Sequence, residues 1–244
     1  MNLRHKVALI TGGARIGIAV AEELAREGCH IALSYRSSKK SAEEAAKKVS
    51  IMGTRSFIVQ ADATVEAQVK RMVQSVKKEF GRLDILINMA SSYEKTPQRT
   101  LDEKTWDEHV DANLKSAFLT VQHAAPYLSK NGGRVVNFAD WVAASGRPRY
   151  KDYVPYYTAK AGVIGLTQAQ ALELAPDVLV NAIAPGPIVP PAGATKKEEE
   201  EVIKVTPLRR WGGAGEIAKA VVFLCKTDFV TGECLRVDGG RHLF

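Results

Sequence analysis

Short runs rich in Val and Ile alternate with longer stretches of helical periodicity along the chain. That rhythm specifies βα units around a parallel sheet covered on both faces. Strands are predicted at 7–10, 30–35, 56–60, 85–88, 134–138, 179–183 and 235–237. They read as near-continuous apolar runs, as strands buried on both faces do. Helices are predicted between them at 16–27, 41–52, 65–80, 105–128, 156–174 and 214–226. The expected fold class is α/β, a doubly wound parallel sheet forming one domain over residues 1–244. Two connections, 139–155 and 185–210, exceed what a crossover needs, and long loops in such folds usually carry function. The second opens on prolines and becomes the charged stretch KKEEEE, so a lid over the substrate is expected at 185–210.

Composition narrows the function classes. With 45% hydrophobic and 25% charged residues and no repeat, the chain is expected to be globular rather than disordered or solenoid. The apolar run in MNLRHKVALITGG is too short for a secretory signal, and no later run reaches bilayer length, so a soluble cytoplasmic protein without a membrane partner is expected. The net charge of +7 is scattered and accompanies no nucleic-acid-binding motif, so no nucleic-acid partner is expected, although the charge suits an anionic cofactor. Cys29, Cys225 and Cys234 lack metal-ligand spacing, and no metal is expected.

The first predicted strand runs into Thr11-Gly12-Gly13-Ala14-Arg15-Ile16-Gly17 and then a helix. In this Rossmann-like context backbone N–H groups at the helix start receive a pyrophosphate, and glycine permits its close approach. Gly12, Arg15, Ile16 and Gly17 are therefore cofactor candidates. The second strand ends in Tyr35-Arg36-Ser37, where an NAD site would place an acidic residue for the ribose 2′-hydroxyl. Arginine and serine there suit a 2′-phosphate, which points to NADPH (NADP+). Asp62 and Ala63 follow the third strand, and Asn88 and Ala90 follow or end the fourth, at the carboxyl edge where such sheets bind ligands.

From TGGARIG through NMAS, YTAK and PG to the terminal VDGG, the chain resembles the short-chain dehydrogenase/reductase family. The Tyr-xxx-Lys of Tyr156 and Lys160 places two side chains on one helix face. The resemblance implies that Tyr156 exchanges a proton with the substrate, that Lys160 lowers the phenol's pKa and binds cofactor ribose, and that Asn113 holds a water in a proton relay. It also implies that Pro185, Gly186 and Ile188 flank the nicotinamide, and that the protein assembles as a homotetramer. Tyr157 falls out of register and is expected to pack.

The family's serine after the fifth strand is replaced by Asp140. A carboxylate there would raise the Tyr156 pKa, so Asp140 must be protonated, paired or catalytic. Asp140 together with Asn88-Met89-Ala90-Ser91-Ser92-Tyr93 is similar to the pteridine reductase branch. That likeness implies Tyr93 as a stacking platform, with Arg15 and Ser91 contacting pterin or phosphates and Asp140 contacting substrate. The turn before Ile16 is shorter than the family's, the 140–156 loop is longer, and Pro190 replaces a threonine. The leading expectation is NADPH-dependent reduction of a C=N or C=O group in a pterin-like small molecule. The alternatives are a 3-oxoacyl-[acyl-carrier-protein] reductase and a non-catalytic NADPH-binding sensor.

Overall fold

Why the apolar runs lie side by side is visible in a computed structural model, which describes residues 1–12, 15–191 and 193–243. Seven parallel strands form one sheet: β1 (Val7–Gly12), β2 (His30–Tyr35), β3 (Ser56–Gln60), β4 (Ile85–Met89), β5 (Gly133–Phe138), β6 (Val178–Pro185) and β7 (Cys234–Val237), in the order β3-β2-β1-β4-β5-β6-β7. All seven strands lie where the sequence places them, within a few residues. Chain order reverses between β1 and β4, and this switch point opens a crevice at the strands' carboxyl ends.

One core packs α1 (Ile16–Arg26), α2 (Lys39–Ile51) and α9 (Ala214–Lys226) on one sheet face through Leu24, Val49 and Val221. A second packs α3 (Glu66–Phe80), α5 (Ser116–Leu128) and α7 (Val154–Leu174) on the other through Met72, Leu119 and Ala171. Parallel sheets need this double cover because both faces are apolar.

The helix expected at 105–128 is not continuous. It divides into α4 (Glu103–Val110), a π turn at Asp111–Lys115, and α5. Such turns insert an extra residue into a helix, and this one lies at Asn113, whose Nδ2 donates to the carbonyls of His109 and Ser92, both at 2.9 Å. The π turn sits where the Asn113 side chain bonds both its own helix and the β4 loop. The long connections contain α6 (Trp141–Ala144) and α8 (Lys196–Lys204). Among the described residues no helix is long and apolar enough to cross a membrane, and no group of three or more His, Cys, Asp or Glu could hold a metal ion.

Candidate active site

Two cavities flank the segment after β4. The first, about 280 Å³, is walled by Gly12, the β2 end from Tyr35 to Ser38, Asp62 and Ala63 after β3, and Met89 to Ser92. Gly12 has φ +68, and a Cβ there would lie 2.8 Å from Ala90 Cα. Only glycine lets β1 turn this close to the β4 loop. Arg36 Nη1 lies 3.9 Å from Asp62 Oδ2 across the rim. Burial works against the Asp62 charge, yet the backbone and hydroxyl of Thr64, with Arg36, hold its carboxyl below the usual range.

The second cavity, about 520 Å³, is walled by Ile16, Tyr93, Asp140 and Tyr156, by Pro185 to Val189, and by residues of α8. Pro155 at the start of α7 fits the first-turn preference for proline, and it sets Tyr156 in the opening turn with Lys160 one turn on. Gly186 packs where a Cβ would stand 2.4 Å from Asp238 Cβ, which presses the segment after β6 onto the turn after β7.

Asp140 N-caps α6 through Oδ1, which accepts from Val142 N–H at 2.8 Å, while Oδ2 accepts from the Tyr156 hydroxyl at 3.0 Å. Lys160 is buried, and its Nζ donates to the Phe138 carbonyl at 2.7 Å. Burial raises the Asp140 carboxyl against the pull of Val142, Tyr156 and Lys160. Burial and then the adjoining Asp140 hold the Tyr156 phenol well above its ordinary value. Burial brings Lys160 down to about 8, opposed by Asp140. Asp140 is the nearer influence on the phenol: its carboxyl accepts from the hydroxyl directly, while Lys160 Nζ lies 5.8 Å from the Tyr156 ring centre. Asp140 is paired and held toward its neutral form.

Other expectations shift in detail. Arg15 donates to the Pro190 carbonyl rather than reaching either cavity, because the 185–210 segment passes directly over it. Ser91 lines the first cavity, not the second, and its hydroxyl donates to Asn113 Oδ1 at 2.8 Å. Asn113 thus tethers the β4 loop with its side chain. The Asn88 side chain is buried between elements, donating to Asn137 Oδ1 at 2.9 Å and accepting from the Thr120 hydroxyl at 2.6 Å. Gly17 approaches Gly12 O, 3.3 Å from its would-be Cβ, as close helix-strand packing needs. The shortened part of the turn, Gly13 and Ala14, lies outside the described residues. Tyr157 is half-buried beside a small cavity that also adjoins Tyr156.

Sequence reasoning missed an aromatic wall. Tyr153 stacks on Tyr93 with centroids 4.6 Å apart, Tyr93 meets Tyr156 edge-on at 4.8 Å, and Trp141 and Tyr150 border the second cavity. The signal was the tyrosine-rich 146–157 segment, whose spacing alone says nothing of which rings meet.

The family described as Enoyl-(Acyl carrier protein) reductase matches residues 13–242. The chain is 38% identical to the 3-oxoacyl-[acyl-carrier-protein] reductase FabG of Staphylococcus aureus over 98% of both chains. Its fold matches a short-chain dehydrogenase/reductase of Serratia marcescens with TM-score 0.92 and 30% identity, covering 99% of this chain and 100% of that one. It matches a blue fluorescent protein from a metagenomic library, solved in complex with NADPH, with TM-score 0.90 and 30% identity over 99% of both. With Tyr156 and Lys160 a helical turn apart beside the carboxyl end of β5, the chain belongs to the short-chain dehydrogenase/reductase family and is an oxidoreductase that works with a nicotinamide cofactor.

Proposed function

We propose that the protein is an NADPH-dependent reductase of a C=N or C=O bond in a flat, pterin-like substrate. The single observation that carries this reading is the half-buried Asp140 carboxyl bonded to the Tyr156 hydroxyl in the family's serine position. A neutral carboxyl can donate and accept, so it matches the adjoining C=N and N–H groups of a pterin ring, where an isolated ketone needs only a phenol.

The first cavity fits the adenosine half of the cofactor: Gly12 leaves the space a Cβ would fill, and Arg36 and Ser37 face the position of a 2′-phosphate. Tyr156 and the 185–188 segment line the second cavity and would border the nicotinamide half. The bound cofactor supplies the hydride. Tyr156 donates its proton to the substrate atom that gains negative charge. Asp140, raised toward its neutral form by burial and bonded to the Tyr156 hydroxyl, is placed to donate to the phenolic oxygen as that proton leaves. Lys160, anchored on Phe138 O, provides a nearby positive charge and would be the residue to hold the ribose hydroxyls of the cofactor. Asn113 holds Ser91 and Ser92 in place between the cavities. Tyr93, 52% exposed and backed by Tyr153, forms an aromatic wall for the substrate ring.

A second reading, reduction of a 3-oxoacyl thioester, is favoured by the 38% identical curated relatives. Incubating the protein with NADPH and, separately, dihydrobiopterin, a quinonoid dihydropterin and acetoacetyl-CoA distinguishes the two. Oxidation of NADPH with a pterin, lost in Asp140→Ser, supports the first. Turnover of acetoacetyl-CoA alone, retained in Asp140→Ser, establishes the second. NADPH binding without turnover of any of the three favours the non-catalytic sensor reading over both.

A further inference from the structure

Helix α8 reads KKEEEEVIK, and every one of its nine residues is at least partly exposed. A helix this short is marginal in water, and helices ordinarily persist because an apolar face is packed. Its ends must therefore be held. At the start a capping box does this: Thr195 Oγ1 accepts from Glu198 N–H at 3.3 Å, and the Glu198 carboxylate accepts from Thr195 N–H at 2.8 Å.

At the other end, terminal carbonyls lack helical partners and carry the negative end of the dipole. Arg209 donates to the Lys204 carbonyl from the same segment. Arg241 arrives from beyond β7, and its Nη1 donates to the Val205 carbonyl at 2.8 Å. The same guanidinium lies 5.3 Å from the Trp141 ring centre. Trp141 follows Asp140 and lines the second cavity together with Glu199 and Val202 of α8.

The turn bearing Arg241 is itself firmly built. Buried Asp238 accepts from the backbone N–H groups of Gly240 and His242, both at 3.0 Å, and contacts His242 Nδ1 at 2.7 Å. A Cβ on Gly240 would lie 2.9 Å from the Pro207 ring, so this turn also abuts the chain leaving α8.

We propose that Arg241 is a positioning residue that fixes α8 and Trp141 relative to each other and so sets the width of the substrate cavity. It acts through those two neighbours: among the described residues that line the two cavities, Arg241 is not one. The proposal requires only that the second cavity receives the substrate, and is independent of which substrate that is.

The test compares Arg241→Met, which keeps the apolar stem and loses charge and donors, with Arg241→Lys, which keeps a cation. Hydrogen–deuterium exchange is followed on the NADP+-loaded protein. Losing a charged hydrogen bond and the dipole contact is expected to speed exchange across 196–205 about tenfold in the Met variant, less in the Lys variant, with α1 and α3 unchanged. With acetoacetyl-CoA or a quinonoid dihydropterin, whichever is reduced, KM rises about tenfold while kcat and the NADPH Kd hold. The exchange arm needs no turnover, so it stands even if the reaction assignment fails. Wild-type exchange across 196–205 in Arg241→Met overturns the proposal. An increase spread equally over α1 and α3 does so too, because it reports general loss of stability.

Discussion

Replacing Lys160 with Met removes an ammonium that the fold holds at an energetic cost. Burial lowers this group from 10.5 to about 8, with its Nζ on the Phe138 carbonyl. Below pH 8 both folded and unfolded chains carry the proton, and the penalty is fully present. Between 8 and 10.5 the unfolded chain binds more protons than the folded one, so wild-type stability rises with pH across that window. At 1.36 kcal/mol per pKa unit, the part of the relief realised between pH 7 and pH 9.5 comes to about 2 kcal/mol. Lys160→Met has no such term. The orphaned Phe138 carbonyl costs the variant the same at both pH values and cancels in the comparison. Urea unfolding of cofactor-free wild type and variant at the two pH values measures it: the stability difference, variant minus wild type, should be more favourable to the variant at pH 7 by about 2 kcal/mol. A difference that does not change with pH, or that changes in the opposite direction, refutes the claim that Lys160 is held charged against burial.

Two further outcomes follow from the cavity walls. Arg36→Ala should weaken NADPH binding about tenfold to a hundredfold by removing one charge-assisted contact, with NADH affinity unchanged, as measured by fluorescence titration; equal losses for both cofactors would remove Arg36 from the 2′-phosphate. Gly186→Ala drives a Cβ to within 2.4 Å of Asp238 Cβ and should destabilise the protein by about 1–3 kcal/mol in urea unfolding. An unchanged midpoint would show that the Pro185–Gly186 segment yields freely.

The sheet was legible because its inner strands are buried on both faces and must be written almost entirely in apolar residues, as in Val7–Gly12 and Ile85–Met89, whereas the edge strands β3 and β7 are only half-buried. The break at Asn113 was not legible, since it arises from bonds to the β4 loop, a partner 21 residues away at Ser92, and not from a local breaker such as proline or glycine. Asp140 stands out in the sequence because it departs from a pattern, which requires it to be protonated, paired or catalytic, and its Oδ2 accepts from the Tyr156 hydroxyl. Arg15 shows the opposite case. Its place in the glycine turn suggests phosphate, yet its guanidinium meets Pro190, and only the path of the 185–210 segment decides between them. The Tyr93–Tyr153 stack is likewise tertiary: Thr96 N–H donates to Asp152 O at 2.6 Å and draws the two loops together. Asp152 holds φ 68 to present that carbonyl, a conformation Asp tolerates better than most residues.

The central claim is that Tyr156 passes the proton that completes reduction. The most direct test is Tyr156→Phe, assayed by loss of nicotinamide absorbance with whichever of the three substrates the wild type reduces, alongside direct titration with NADPH. The variant should bind NADPH as wild type does, since only a hydroxyl is removed, while kcat falls by about a hundredfold to ten-thousandfold. Undiminished kcat with intact NADPH binding would show that another group supplies the proton, and would contradict the account.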